Sequence, residues 1–361
     1  MSEINEGFAL LSEQLMLVAG LAYAVALGAY VWDLVTFSQT VKKGMADADT
    51  AAAFARSDTA LVGASAGAAS SAAQGLGAGP QGRAARPSSK THGGSDGVTA
   101  GDTMRYGGKK RTVARVAVAL TVVAVVVQGL AVLFRGLAAG RVPWGNMYEF
   151  CTTGSFTVAL VFLLVLSRRD LRFLGTFVVS LVLLMIVAAS VSFWTPVGHL
   201  VPALQSYWIV IHVSIAVLSS ALFTITFAMS VLQLIQSRRE AALAAGKKDK
   251  APVMRLVPNA LSLENLAYRI NGIAFVGWTL TVMFGAIWAE KAWGRFWGWD
   301  TKEVWSFVIW VVYAGYLHAR ATKGWTGTRA AWLSIVGYLC VIFNFTIVNM
   351  YFSGLHSYAG V

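Results

Sequence analysis

Cysteine is scarce in this chain of 361 residues. Only Cys151 and Cys340 are present, far apart and without a CxxC pair. This excludes a thioredoxin-like dithiol and a c-type haem attachment site within the chain itself. Both cysteines are predicted to be small core residues of helices.

Charged residues are also few, and apolar residues dominate. Only 13% of the chain is charged while 57% is hydrophobic, and the mean hydropathy is +0.62. Apolar segments of about 20 residues, the length that crosses a bilayer, recur along the sequence. The predicted fold is all-α: a polytopic transmembrane helix bundle of about eight spans, at 14–36, 113–134, 148–167, 173–193, 207–236, 268–290, 304–321 and 330–352.

The basic residues predict the orientation of these spans. All but five of the 29 Lys and Arg residues fall on one side, in or beside the connections 37–112, 168–172, 237–267 and 322–329. The five others are Arg135, Arg141, Lys291, Arg295 and Lys302. Because positive charge is retained in the cytoplasm, both termini are predicted to be extracytoplasmic. The net charge of +12 follows from this bias, and no aromatic–basic motif indicates a nucleic-acid partner.

The first span lacks the features of a short cleavable signal. Residues 45–111 are dominated by Ala, Gly and Ser and have almost no large apolar side chains. Such a segment cannot bury enough surface to offset its ordering entropy, so it is predicted to be a disordered cytoplasmic linker, with His92 inside it. Three regions follow: 1–44 with the first span, this linker, and 112–361.

Tryptophan is concentrated in one stretch, residues 291–305. It contains Trp293-Gly-Arg-Phe-Trp297-Gly-Trp299-Asp300-Thr-Lys-Glu303-Val-Trp305, between two apolar segments. The flat indoles suit a flat ligand, and the glycines let the backbone approach it closely. An interfacial aromatic belt is the alternative, but it accounts for only one or two of the tryptophans.

This stretch resembles the WWD signature of haem-handling proteins, and residues 112–361 resemble the CcsA/CcsB/ResC family of cytochrome c assembly proteins. Three other segments carry the resemblance: Val142-Pro-Trp-Gly-Asn-Met-Tyr-Glu-Phe150, Pro202-Ala-Leu-Gln-Ser-Tyr-Trp-Ile-Val-Ile-His212-Val, and Asn349-Met-Tyr-Phe-Ser-Gly-Leu-His-Ser-Tyr358. Thr301 departs from the proline that the family usually has after the aspartate.

The resemblance implies external haem ligands at His212 and His356, with haem contacts from Trp293, Trp297, Trp299, Asp300 and Trp305. His212 lies about five residues inside the fifth span, roughly 8 Å deep, and His356 follows the eighth span. Both therefore lie on the predicted side of the WWD stretch. The alternative for each is a hydrogen-bonded core or interface histidine.

His318 corresponds to an intramembrane haem-ligating histidine of the family. It lies on the order of 20 Å from the outer end of the seventh span, too deep to share an iron with His212. Its axial partner is expected from another subunit, and the alternative is a histidine that snorkels beside Arg320. His199 matches no family position and is interpreted as a loop residue.

Two further motifs have both structural and functional interpretations. Asp300 and Glu303 have the spacing of a helix N-terminal capping box, which would fix the rim of the tryptophan pocket. Arg295 and Lys302 are candidate partners for haem propionates. The outer-loop residues Trp144, Asn146, Tyr148 and Glu149 either wall the pocket or form an ordinary polar helix start.

The resemblance implies a subunit of a cytochrome c haem-lyase that works with a ResB-type membrane subunit. Haem b would be transferred across the membrane and presented for thioether attachment to the CxxCH motif of apocytochrome c. No catalytic acid or base is predicted. A haem exporter or chaperone without ligation activity stays open, whereas a two-haem electron-transfer subunit would need paired histidines inside the bilayer.

Overall fold

The computed structural model describes residues 4–36, 111–322 and 325–356. These residues form helices and connectors and contain no strand, so the predicted all-α class is confirmed. The predicted linker lies outside the described residues except for Arg111, and His92 lies outside them as well.

Eight long helices match the eight predicted spans, and a ninth, short helix follows. They are α1 Glu6–Thr36, α2 Thr112–Ala139, α3 Met147–Arg168, α4 Gly175–Ser192, α5 Tyr207–Ala244, α6 Ala260–Trp293, α7 Thr301–Ala321, α8 Thr328–Phe345 and α9 Ile347–Tyr351.

Seven stretches in the described residues are long and apolar enough to cross a membrane, with α8 and α9 together forming the last one. Helix α7 is not among the seven. Its 21 residues are long enough, but Trp, Tyr, His318 and Arg320 make it less apolar than its neighbours. Helix α5 has 38 residues, more than a bilayer requires, as its sequence predicted.

The predicted alternation of the spans brings three connectors, α2–α3, α4–α5 and α6–α7, and both described ends of the chain to one end of the bundle, here called the WWD end. The backbone N–H of Asn5 donates to Ala138 O at 3.1 Å, where α2 ends. Arg135 donates to Thr195 O, after α4. Asp300, before α7, contacts His356 near the C-terminus.

The interior below the WWD end is closely packed by aromatic rings from α5, α6 and α7. The rings of Phe223 and Tyr313 stack with centroids 3.8 Å apart. Trp278 lies edge-on to Phe223 at 6.2 Å, and Tyr316 lies edge-on to Tyr313 at 6.4 Å. All four side chains are almost completely buried, so packed side chains fill this part of the interior.

At the opposite end of the bundle, buried charged side chains hold neighbouring helices together. Glu264 accepts hydrogen bonds from Gly327 N at 2.9 Å and Gln233 Nε2 at 3.3 Å, and its other oxygen lies 2.7 Å from Arg320. This carboxylate therefore ties α5, α6, α7 and the start of α8 together. In the connector after α5, the hydrogen bond from Arg239 is the main reason that the pKa of Asp249 is lowered.

Candidate functional site

A cavity opens at the WWD end, where α5 begins, α6 ends and α7 begins. Its empty volume is about 1080 Å³ with the open mouth included. We call it the WWD cavity. Its polar and aromatic lining is Trp144, Asn146, Phe150, His212, Trp278, Thr281, Trp288, Phe296, Trp297, Lys302, Glu303, Ser306, Asn344, Phe345, Asn349 and His356.

His212 enters this cavity from the second turn of α5. Its Nδ1 lies 2.9 Å from the backbone oxygen of Thr281 on α6. A carbonyl only accepts, so Nδ1 carries the proton and donates, which leaves Nε2 as the basic nitrogen. Gly285 makes this placement possible, because an added Cβ would lie 2.7 Å from the ring's Cε1.

His356 reaches the same cavity from the C-terminal segment. Its Nδ1 lies 2.7 Å from Oδ2 of Asp300, while the N–H of Leu355 donates to Oδ1 at 3.1 Å. The hydrogen bond from His356 is the main cause that lowers the pKa of Asp300, which is therefore ionised at neutral pH. Gly354 lets the segment lie this close, since a Cβ there would meet Oδ1 at 2.3 Å.

Trp288 packs against both imidazoles. Its ring lies nearly parallel to His212 with centroids 5.9 Å apart, and edge-on to His356 at 5.4 Å. In the described residues, no hydrogen bond engages Nε2 of either histidine. An imidazole anchored through Nδ1 with a free Nε2 is the usual arrangement of a metal-ligating histidine. The proximity expected from the sequence is present, and the ligand role stays a prediction.

The four tryptophans of the WWD stretch take different positions. Trp297 lines the cavity, and Trp293 packs edge-on against His356 at 4.8 Å. Trp305 packs against Phe343 at 4.3 Å. Trp299 is 76% exposed and lies outside the cavity lining, with its ring 5.9 Å from that of Trp297.

The sequence did not single out two tryptophans of the cavity, Trp278 and Trp288. Both belong to the apolar run of α6, where a tryptophan resembles any other core residue. The indole N–H of Trp278 donates to Ser306 O at 3.0 Å, and that of Trp288 donates to Ala203 O at 3.1 Å. These two rings are therefore fixed in orientation.

The predicted capping box at the start of α7 is confirmed. Asp300 caps the helix, and its own N–H donates to Oε2 of Glu303 at 3.1 Å. Of the two candidate propionate partners, Arg295 pairs with Glu303 at 3.1 Å. Lys302 lines the cavity and donates to Asn349 Oδ1 at 2.7 Å.

The motif before α3 combines both of its interpretations. Trp144 and Asn146 line the cavity, and Asn146 also caps α3 by accepting from the N–H of Glu149 at 2.9 Å. Tyr148 and Glu149 are buried. The motif is thus both a helix start and one wall of the site.

His318 and His199 lie elsewhere. His318 is on an exposed face of α7, 17 residues from the start of the helix and so about 25 Å along it. His199 is exposed in the connector after α4 and lines a second cavity beside the first. Cys151 and Cys340 are free thiols in helices; Cys151 is a buried core residue as predicted, whereas Cys340 is only partly buried.

The part of the chain that forms this cavity is similar in sequence to known proteins. Residues 144–356 match the family described as cytochrome C assembly protein. The cytochrome c biogenesis protein CcsA of Porphyra purpurea is 32% identical over 279 residues, covering 68% of this chain and 87% of that protein. The CcsA protein of Synechococcus elongatus is 33% identical over 263 residues, covering 62% and 81%.

The CcsA protein of Chlamydomonas reinhardtii is 36% identical over 236 residues, covering 63% of this chain and 64% of that protein. The family match includes the WWD stretch, His212, His318 and His356. It begins at Trp144, the first residue of the cavity wall. The chain therefore belongs to the cytochrome c assembly protein family.

Proposed function

We propose that this protein acts in cytochrome c biogenesis by holding haem b in the WWD cavity for covalent attachment to an apocytochrome c. The observation that carries the proposal is the pair of imidazoles on one cavity, each anchored through Nδ1 and each without a hydrogen bond from Nε2 to any described residue. Two neutral imidazoles would ligate opposite faces of the haem iron. The relatives named as cytochrome c biogenesis proteins support the same process.

Haem is a substrate in this account. Each thiol of the CxxCH motif adds across one vinyl group: a C–S bond forms at one vinyl carbon, and the proton goes to the other. The C=C bond becomes a single bond, with no net oxidation. The role of the protein is to fix the macrocycle where the two thiols can reach it, because holding reactants in place removes much of the entropic barrier.

Transfer of haem across the membrane is proposed to use His318 together with a ResB-type subunit. The aromatic packing beneath the cavity, with Phe223 and Tyr313 stacked at 3.8 Å, leaves no room for a macrocycle between α5, α6 and α7. His318 instead shares an exposed face of α7 with Gly315, Val311 and Phe307, which ends beside Trp297. We therefore place the route on this face, covered by the partner that supplies the second inner ligand.

The test uses the purified complex of this chain and its membrane partner, loaded with haem. A peptide containing CxxCH is added under reducing conditions, and covalent haem is measured by the haemochrome spectrum and by mass. A matched AxxAH peptide is the control. Haem that becomes covalent only on the CxxCH peptide supports the proposal. Haem that copurifies without covalent transfer would favour an exporter or chaperone, and no bound haem would refute both.

A further inference from the structure

A second, more open cavity adjoins the WWD cavity at the same end of the bundle. Arg141, His199 and Tyr207 belong to its lining. The two cavities share Trp144, Leu204 and Ile209 in their linings and are therefore neighbours along this wall. His212 lies on one side of this shared wall, and Arg141 lies in the lining of the second cavity on the other side.

The wall contains an unbalanced group of buried charges. Arg135 Nε lies 3.1 Å from Glu149 Oε1, and Arg141 Nη1 lies 2.7 Å from Oε2. The side chains of Arg135 and Glu149 are at most 3% exposed, and that of Arg141 is 14% exposed. Two guanidinium groups thus share the carboxylate of Glu149, the only acidic side chain of the described residues that forms an ion pair with either of them. A buried guanidinium group is costly unless an anion compensates it.

Three buried donors in the same group lack acceptors. Arg135 Nη1, Arg141 Nε and Trp144 Nε1 make no hydrogen bond with any described residue. All three are N–H groups that can only donate. Buried donors are normally satisfied, so three of them beside two guanidinium groups that share one carboxylate indicate a negatively charged acceptor.

We propose that Arg141 and Trp144 form a carboxylate subsite that binds a propionate of the haem held in the WWD cavity. This inference rests on the proposed function, since the propionates are the only anionic groups of that ligand. Arg295 is less suited to the role because it belongs to the lining of neither cavity. The subsite sets the rotation of the macrocycle about the axis between the histidines, and so decides which edge carries the vinyl groups outward.

The experiment compares haem with its dimethyl ester, in which both propionates are uncharged. Each is titrated into the haem-stripped full-length protein in detergent, and binding is followed by the low-spin absorption spectrum. The parent is expected to bind haem about tenfold more tightly than the ester, as befits a charge-assisted hydrogen bond. Arg141→Gln and Trp144→Phe should each reduce this ratio, the second without altering the ring. Arg115→Gln, at the opposite end of the bundle, should leave the ratio unchanged.

The ratio separates the subsite from other effects. A folding defect, or loss of a lipid phosphate bound at Arg141, would weaken haem and ester equally and leave the ratio at the parent value. A ratio unchanged in both variants overturns the subsite while haem binding itself stands. If the parent binds neither porphyrin, the proposed function fails, and the subsite fails with it.

Discussion

The two histidines of the site are oriented by different kinds of acceptor. His212 donates to a backbone oxygen, that of Thr281, whereas His356 donates to the carboxylate of Asp300. A carboxylate acceptor raises the basicity of the ring and can be altered by mutation, but a backbone carbonyl cannot. The two anchors can therefore be tested by different substitutions.

Replacing Asp300 by Asn separates the charge from the helix cap. Asparagine caps a helix as well as aspartate does, so α7 should still start at Thr301 and the thermal midpoint should change little. Loss of the carboxylate behind His356 should weaken haem binding by roughly 10-fold or more. Haem titration and thermal unfolding measure the two effects. Parent-like haem affinity in this variant would mean that Asp300 does not support a ligand.

Replacing Gly285 by Ala tests the anchor of His212. The added methyl would lie 2.7 Å from Cε1 of the imidazole, so the ring must move away from Thr281. The expected result is loss of the low-spin haem spectrum in a protein that still folds. Gly272→Ala is the matched control in the same helix, because nothing lies within 4 Å of its added methyl. Equal spectra in the two variants would contradict the geometry described for His212.

At the scale of elements, the connector between α6 and α7 shapes the cavity mouth. Trp299 has φ +60°, a positive value that no other described non-glycine residue adopts. Such a conformation is strained for a bulky residue and is expected where function requires it. A side chain on Gly298 would occupy the position of the Arg295 guanidinium, so this group would have to move from where it pairs with Glu303.

Because Trp297 and Trp299 lie in different positions, their replacement by alanine should affect haem occupancy to different degrees. Trp297→Ala removes part of the cavity wall and should lower haem occupancy, whereas Trp299→Ala removes a ring that is 76% exposed and should lower it less. Copurified haem per protein measures both, and the double variant should be the most depleted. Haem content equal to the parent in all three variants would favour the aromatic-belt interpretation.

The helices were predictable from sequence because each apolar run long enough for a bilayer became a helix. The cap at Asp300 was predictable because it involves neighbours in sequence. The contact of Asp300 with His356 was not, since it joins residues 56 positions apart. Nor was the role of Trp288, because an indole inside an apolar helix carries no local sign that two histidines pack against it.

On the scale of the whole molecule, the packed aromatic interior separates the WWD cavity from the opposite end. Tyr313 and Tyr316 are buried between α7 and its neighbours, while His318 faces outward on the same helix. Under the proposed function, the chain alone would provide one complete haem site and half of another. The sequence predicted the inner site from the depth of His318, and the exposure of this residue indicates the face of α7 that the proposed partner would cover.

Replacing His318 by Ala in the complex should deplete haem at the WWD cavity, which lies at the other end of α7. The reason is that supply along the outer face of α7 would be cut, while His212 and His356 stay in place. Added imidazole should restore part of the haem by filling the vacant axial position. The measurement is haem per protein at equal protein level. An undiminished amount would mean that haem reaches the cavity without His318.

The most direct test of the central claim is the low-spin haem spectrum of His212→Ala and His356→Ala, measured with and without imidazole. The account predicts that each variant loses the six-coordinate spectrum and that imidazole restores it, because the cavity still binds the macrocycle when one axial ligand is removed. His92→Ala, in the predicted linker, should match the parent. A parent-like spectrum in both variants without imidazole would contradict the account.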